Sequence, residues 1–303
     1  MPDKVGAIAD AIEALLQPRL AQLRVRPDVL VGLVGRGIQL SRSPIMHERE
    51  AARLGLSCVY VLVDFDAMAL VDGDLEAVLQ AAARLGFHGL NVTYPFKQAV
   101  MPLLDDVSDE ATAIGAVNTV VFASRIVGHN TDYWGFAESF RTQMAGVPLG
   151  KVAVFGAGGA GSAICAALIG LGAEAITIVD SAGHRAQDLA ARLARFGATS
   201  LSASGDVRSA VLEASGVVNT TPVGMAKHPG TPFDTAWLRP EQWVADVVYF
   251  PAETELLRHA RSIGCRTLPG IGMAIGQAAR AFEHFTGRAA DLTTMARHFE
   301  EAA

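Results

Sequence analysis

Between Lys151 and Asp180 the chain carries a local pattern that leaves few folds open to it. The run Lys151-Val152-Ala153-Val154-Phe155 reads as a buried strand and passes without a spacer into Gly156-Ala157-Gly158-Gly159-Ala160-Gly161. A small-residue helix follows to about Leu171, then a second strand, Ala175 to Val179, that ends on Asp180. Strand, tight turn, helix and strand in that order specify a parallel βαβ unit. Gly156, Gly158 and Gly161 meet the G-x-G-x-x-G requirement. The first permits the turn, the second lets backbone approach a pyrophosphate, and the third allows close strand–helix packing. The helix N-terminus adds unpaired N–H groups and a positive dipole end. The loop, with Ala157, Gly159 and Ala160 between its three key glycines, is a candidate dinucleotide cradle; a plain glycine-rich turn is the simpler alternative.

Asp180 chooses among dinucleotides. A carboxylate at the end of the second strand accepts hydrogen bonds from the ribose hydroxyls of NAD and repels the 2′-phosphate of NADP. NAD is therefore expected, with NADP less favoured. Arg185 lies close by, placed either to meet a phosphate or to stack over the adenine. Asp is also a common helix N-cap, and the two roles are compatible.

Composition narrows the function classes. The chain has 303 residues, room for two domains, and it is 50% hydrophobic and 18% charged, which excludes intrinsic disorder. A net charge of -6 lacks the basic footprint of a nucleic-acid binder. Cys58, Cys165 and Cys265 are far apart with no C-x-x-C pair, which fits a reducing compartment and neither a disulfide framework nor zinc. His47 and His129 also lack metal-ligand spacing, so no metal is expected. Val152 to Ala173 is free of charge and long enough to span a bilayer, but its glycine cluster would break such a helix. Acids at Asp10 and Glu13 speak against a signal peptide. The expectation is a soluble, cytoplasmic protein acting on a small molecule, with no nucleic acid or membrane partner.

The rest of the chain also alternates strands and helices. Val5, Ile8, Ile12, Leu15 and Leu16 share a helical face, which Pro18 bends or ends, a candidate contact surface for a homodimer. Strand-like runs at Val29–Gly35, Cys58–Val63, Gly89–Thr93 and Val117–Phe122 alternate with helical stretches at Pro44–Leu54 and Leu75–Leu85. Further strands fall at Gly216–Val218 and Val244–Val248, and Met273–His284 is helical. The fold class is α/β in two lobes, with a parallel sheet expected in the first and a Rossmann-type dinucleotide-binding domain as the second.

In the first lobe Asn91-Val92-Thr93-Tyr94-Pro95-Phe96-Lys97 reads as a strand end, a proline that opens a helix, and a lysine in its first turn. Asp132 lies where the first lobe hands over to the second. A lysine and an aspartate meeting there would shuttle a proton to or from a substrate oxygen. On spacing alone, a surface lysine and a capping aspartate explain the pair as well.

Taken together, Ser41-Arg42-Ser43-Pro44, Asn91 to Lys97, Gly115-Ala116-Val117-Asn118-Thr119, Asn130-Thr131-Asp132, the glycine loop and Gly270-Ile271-Gly272-Met273 with Gln277 occur in a family-specific order. Over roughly residues 30 to 300 the sequence resembles the shikimate/quinate dehydrogenase family. The resemblance implies that Lys97 is the general acid/base and Asp132 its partner. It implies that Ser41 and Ser43 hold the substrate carboxylate, and that Thr93, Asn118 and Gln277 bind ring hydroxyls, with Tyr249 nearby. Gly270 joins the cofactor segment. The implied substrate is a cyclic hydroxy-carboxylate. Each residue also has a plainer role: a serine capping the helix at Pro44, Thr93 and Asn118 suiting strand ends, and Tyr249 filling a core.

Departures from the family pattern bear on the substrate and cofactor. Asp180-Ser181-Ala182 stands where NADP-using members carry Asn-Arg-Thr, and resembles the NAD-preferring quinate/shikimate branch. Ser43 stands where that branch often has threonine, Leu40 where the family has histidine, Glu48 where it has asparagine, and Pro269 where an aspartate is common. The reaction class is unchanged; quinate, shikimate and aminoshikimate differ by few hydrogen bonds. The alternatives are an aminoshikimate dehydrogenase and, in another class, a catalytically silent dinucleotide-binding sensor. The expected division is residues 1–131 plus 270–303 for substrate, and 132–269 for NAD.

Overall fold

The structure, a computed structural model, describes residues 4–23, 25–195 and 197–301. The chain forms two compact units, one running to Thr131 and resuming at Ala278, the other Asp132–Gln277.

The first unit opens with α1 (Lys4–Leu20), β1 (Val29–Gly35), α2 (Ser43–Arg53), β2 (Cys58–Asp64), α3 (Leu75–Arg84) and β3 (Gly89–Val92). It continues with β4 (Asp106–Val107), α4 (Asp109–Ile114), β5 (Thr119–Phe122) and β6 (Ile126–His129). Its sheet has the order β2-β1-β3-β5-β6-β4. β1 is buried along its whole length, as expected of a parallel strand covered on both faces. The sheet is not wholly parallel: β5 runs antiparallel to both β3 and β6, against the expected all-parallel arrangement. The three-residue link from Phe122 to Ile126 is a hairpin connection, too short for the helical crossover that parallel neighbours require.

Two local expectations also change. Pro18 does not end α1, which continues to Leu20. Its buried face, Ile8, Ile12 and Leu16, packs into its own unit against α3, so these residues are already used inside the fold. Replacing fully buried Ile12 by alanine removes about 2–5 kcal/mol of packing. No helix opens at Pro95: Tyr94 to Val100 is a series of turns, and Lys97 therefore faces no helix dipole.

The second unit begins with α5 (Thr131–Gln143), which straddles the boundary, then β7 (Lys151–Phe155), α6 (Gly159–Leu171), β8 (Ala175–Val179), α7 (Gly183–Leu193) and β9 (Ser200–Ala203). It continues with α8 (Val207–Glu213), β10 (Gly216–Asn219), β11 (Trp243–Asp246), α9 (Glu255–Ser262), β12 (Arg266–Pro269) and the start of α10 (Ile271–Thr286), which passes into the first unit at Ala278; α11 (Leu292–Glu301) lies in the first unit. All six strands are parallel in the order β12-β11-β10-β7-β8-β9, the doubly wound Rossmann order, whose direction reverses between β7 and β10. The charge-free stretch from Val152 is thus strand, turn and buried helix, and among the described residues no helix is long and apolar enough to cross a membrane.

Residues 270–277, expected with the first lobe, belong to the second unit. The reason is close packing. A Cβ on Gly135 of α5 would lie 2.6 Å from the Gln277 nitrogen, and one on Gly272 would lie 2.2 Å from the Ser139 hydroxyl. The start of α10 is pressed onto α5 through glycine.

Candidate active site

In the second unit the glycine loop divides its labour. Gly156 has φ +107°, a conformation that favours glycine, and a Cβ there would lie 2.6 Å from Thr220 Oγ1. On Gly161 a Cβ would lie 2.0 Å from the Gly156 carbonyl oxygen, so α6 is pressed against the turn. Gly158 is different: among the described residues a Cβ there would meet only an Arg185 nitrogen, at 3.7 Å. Two glycines are required by the protein itself, while the second leaves an open side next to a guanidinium. Gly158 is the N-cap of α6 and supplies no side-chain cap, and Gly159 and Ala160 form the first turn, so that helix end offers main-chain N–H groups. These features fit a pyrophosphate.

Asp180 belongs to the same cradle. Its Oδ2 accepts the Ala157 N–H at 2.7 Å and its Oδ1 accepts the Ala182 N–H at 2.9 Å. The N-cap of α7 is Ala182, so Asp180 shapes the turn before that helix without capping it. Gly270 has a structural reason of its own, since a Cβ would lie 2.4 Å from the Val247 carbonyl oxygen.

In the first unit, Ser41 and Ser43 are brought together. Their hydroxyls are 3.2 Å apart, and Ser41 Oγ accepts the Ser43 N–H at 3.3 Å. The N-cap of α2 is Arg42, with no side-chain cap. The loop ahead of the serines hangs on Asp64, whose carboxylate accepts N–H groups of Gly37 and Ile38 and the Gln39 amide, each at 3.0 Å. Burial pushes the Asp64 carboxyl up, but Gln39 and the main-chain donors of Asp66, Gly37 and Ile38 outweigh it and hold it below the ordinary range.

Thr93 and Lys97 share one run of turns after β3. Thr93 donates its N–H to Val34 O at 2.9 Å, and the Lys97 carbonyl accepts the Val117 N–H at 2.8 Å. Asn118 is buried and engaged at both ends: its Oδ1 accepts the Thr131 N–H at 2.7 Å and its Nδ2 donates to Thr131 Oγ1 at 3.0 Å. It thereby fixes the start of α5, whose second residue is the buried Asp132. An aspartate in a first helical turn is favoured by the dipole.

Sequence reading had singled out neither Tyr60 nor Thr119 nor Asp64. Tyr60 donates to Asn91 Oδ1 at 2.9 Å, and Asn91 Nδ2 donates to Thr119 Oγ1 at 3.2 Å, a buried polar chain continuing to Asn118. The available signal was a tyrosine within an otherwise apolar strand and an acid closing it. Tyr249 is 38% exposed just beyond β11, and Gln277 donates to Ala274 O in its own helix at 3.0 Å.

The histidines, expected to be ordinary polar residues, are not all so. His47 is 1% exposed, its ring nitrogens have no hydrogen-bond partner among the described residues, and it packs against Tyr60, Phe282 and Phe285. Burial pushes it down to about 3. His129 and His284 stack at 4.1 Å, and burial pushes His284 down to about 4. Among the described residues no group of three or more His, Cys, Asp and Glu is arranged to hold a metal.

Comparison with known proteins agrees over nearly the whole chain. The profile for the shikimate dehydrogenase substrate binding domain matches residues 33–120, and that for the shikimate 5′-dehydrogenase C-terminal domain matches residues 270–298. A shikimate dehydrogenase (NADP(+)) of Streptomyces avermitilis is 49% identical over 278 residues, covering 90% of this chain and 96% of the relative. A quinate/shikimate dehydrogenase (NAD(+)) of Corynebacterium glutamicum is 45% identical over 277 residues, covering 89% and 98%. The solved quinate dehydrogenase from Corynebacterium glutamicum in complex with NAD superposes with a TM-score of 0.84 at 44% identity, covering 90% of this chain and 99% of that one.

Proposed function

This chain belongs to the shikimate dehydrogenase family, and from that premise we propose that it reversibly oxidises a ring hydroxyl of shikimate and/or quinate to the 3-dehydro ketone, with NAD as its preferred cofactor. When bound, the nicotinamide dinucleotide supplies the hydride acceptor.

The protein's residues do the rest. Lys97 takes the hydroxyl proton on its Nζ as the carbon–oxygen double bond forms, and returns it in the reverse direction. Asp132, the partner of Lys97, hydrogen-bonds the reacting hydroxyl and orients it before that single proton passes to Lys97. Ser41 and Ser43 donate to the substrate carboxylate, a task suited to two hydroxyls 3.2 Å apart. Thr93, Asn118 and Gln277 bind the remaining ring hydroxyls, and Tyr249 borders them. Gly156 to Gly161 and Gly270 hold the cofactor, with Arg185 beside the phosphates.

The observation that carries the cofactor reading is the open side of Gly158 next to an Asp180 carboxylate fixed on the Ala157 N–H. A carboxylate held there meets ribose hydroxyls favourably and a 2′-phosphate unfavourably. Relatives named for NAD and for NADP are about equally similar, so this local chemistry, not kinship, favours NAD. The free thiols of Cys58, Cys165 and Cys265 suit action in the reducing cytoplasm.

Initial rates with shikimate and with quinate, each with NAD and NADP, test the reading. Hydride transfer from at least one substrate to NAD is expected. Absence of transfer in all four pairings would overturn the activity, and a strong preference for NADP would overturn the role of Asp180.

A further inference from the structure

Asp246, the last residue of β11, is 2% exposed and stands at the carboxyl end of the second sheet, where open α/β sheets bind their ligands. Its carboxylate joins three segments. Oδ1 accepts the Asn219 amide at 3.0 Å and the Val248 N–H at 3.0 Å, and Oδ2 accepts the Thr254 hydroxyl at 2.7 Å. Asn219 in turn donates to Val223 O at 2.9 Å and accepts the Thr221 N–H at 3.0 Å, which shapes the loop after β10. Thr254 is the N-cap of α9, its hydroxyl accepting the Leu257 N–H at 3.3 Å. Tyr249 and Phe250, both exposed, follow Val248 directly.

Among the described residues, the groups that hydrogen-bond this carboxylate are neutral. β10 presents Asn219, and the segment leading to α9 presents Val248 and Thr254. The cavity that Asp246 lines is bordered also by Phe136 and Ser139 of α5, Leu268 and Pro269 of β12 and Met273 of α10. Glu253 and Glu255, on either side of Thr254, are exposed. Burial pushes the Asp246 carboxyl up to about 6, against the three donors that favour its ionised form. All three donors point at an acceptor, so a proton on the carboxyl removes the charge that strengthens their bonds and, when it sits toward Thr254, reverses that bond.

We propose that Asp246 is a positioning residue whose ionised carboxylate clasps the Tyr249 segment to the Asn219–Gly224 loop and to α9, so that substrate affinity follows the protonation state of Asp246. The inference rests on the reading of Tyr249 as a neighbour of the substrate. Loss of the clasp raises KM and leaves kcat, set by the proton transfer at Lys97, largely unchanged.

Asp246→Asn is nearly isosteric: its carbonyl still serves Asn219 and Val248, and its NH2 donates to Thr254, as the protonated acid would. At pH 8 this variant should raise substrate KM about tenfold, equivalent to one charge-assisted hydrogen bond. The wild-type rise in KM as pH falls through about 6 should be absent from it. Thr254→Val removes a donor that favours ionisation and should move that inflection to higher pH; Thr254→Ser should leave it in place. Hydrogen–deuterium exchange over residues 219–224 and 247–254, corrected for intrinsic rates, reads the clasp without turnover. Exchange in Asp246→Asn at pH 8 should match that of the wild type at pH 5. If neither exchange nor the pH dependence of KM differs between wild type and variants, the clasp is refuted. If the wild type turns over no substrate, the proposed function fails while exchange still decides the clasp. Faster exchange with an unchanged KM would refute only its link to the substrate.

Discussion

Asp180 accepts the main-chain N–H of Ala157 at 2.7 Å, so the acid that ends β8 is part of the glycine loop's own geometry. Asp180→Ala therefore loses two things at once: a charge-assisted hydrogen bond inside the loop and the partner proposed for the ribose hydroxyls. NAD KM should rise about tenfold or more, and the ratio of NAD to NADP efficiency should fall. Steady-state kinetics with both cofactors checks this, and an unchanged ratio would remove Asp180 from cofactor choice.

Lys97→Ala should reduce kcat by about 10²–10⁴-fold, the usual contribution of a positioned acid/base. NAD affinity, measured by fluorescence titration, should stay within twofold, because the cradle lies in the other compact unit. A parallel loss of NAD binding would mean that the lysine has another task.

The contact between Gly135 and Gln277 makes a third prediction. A methyl at Gly135 would lie 2.6 Å from the Gln277 nitrogen and 2.7 Å from the Met273 carbonyl oxygen. Main chain on both sides cannot move aside cheaply, so Gly135→Ala should destabilise the protein by about 1–3 kcal/mol. Substrate KM should rise with it if Gln277 binds a ring hydroxyl. Thermal denaturation with kinetics reads both, and an unshifted midpoint would show that α5 and α10 separate freely.

His47 predicts an acid response. Its folded-state value is lowered from 6.5 to about 3, so the unfolded chain binds the proton more readily. Its contribution to stability is complete above about pH 6.5 and is lost as pH falls toward 3. The slope is about 1.4 kcal/mol per pH unit for this one group. His47→Leu should flatten the fall in stability between pH 6 and 4 by about one proton, as read from urea denaturation at several pH values. An equally steep fall would show that the imidazole finds a partner when protonated.

Much of this fold was legible beforehand. The limits of β1, β7 and β8 follow from apolar runs closed by glycine or aspartate, the signature of strands buried on both faces. The glycine loop was legible because its demands are local: a positive φ at Gly156 and contact within a few residues. Less was legible where distant partners decide. The reversed direction of β5 depends on which strands lie beside it, and the turns around Pro95 are held by contacts of Thr93 to Val34 and of Lys97 to Val117.

The sequence by itself determined the α/β class, the dinucleotide cradle and the residues that carry the family resemblance, because these rest on periodicity, backbone stereochemistry and residues adjacent in the chain. Only the tertiary structure decided that Asn118 anchors the start of α5, that residues 270–277 lie on α5, and that Asp246 joins three segments. Hydrogen-bond partners and close glycine contacts join positions far apart in sequence. Their energies depend on burial, a property of the folded chain that no single stretch of sequence carries.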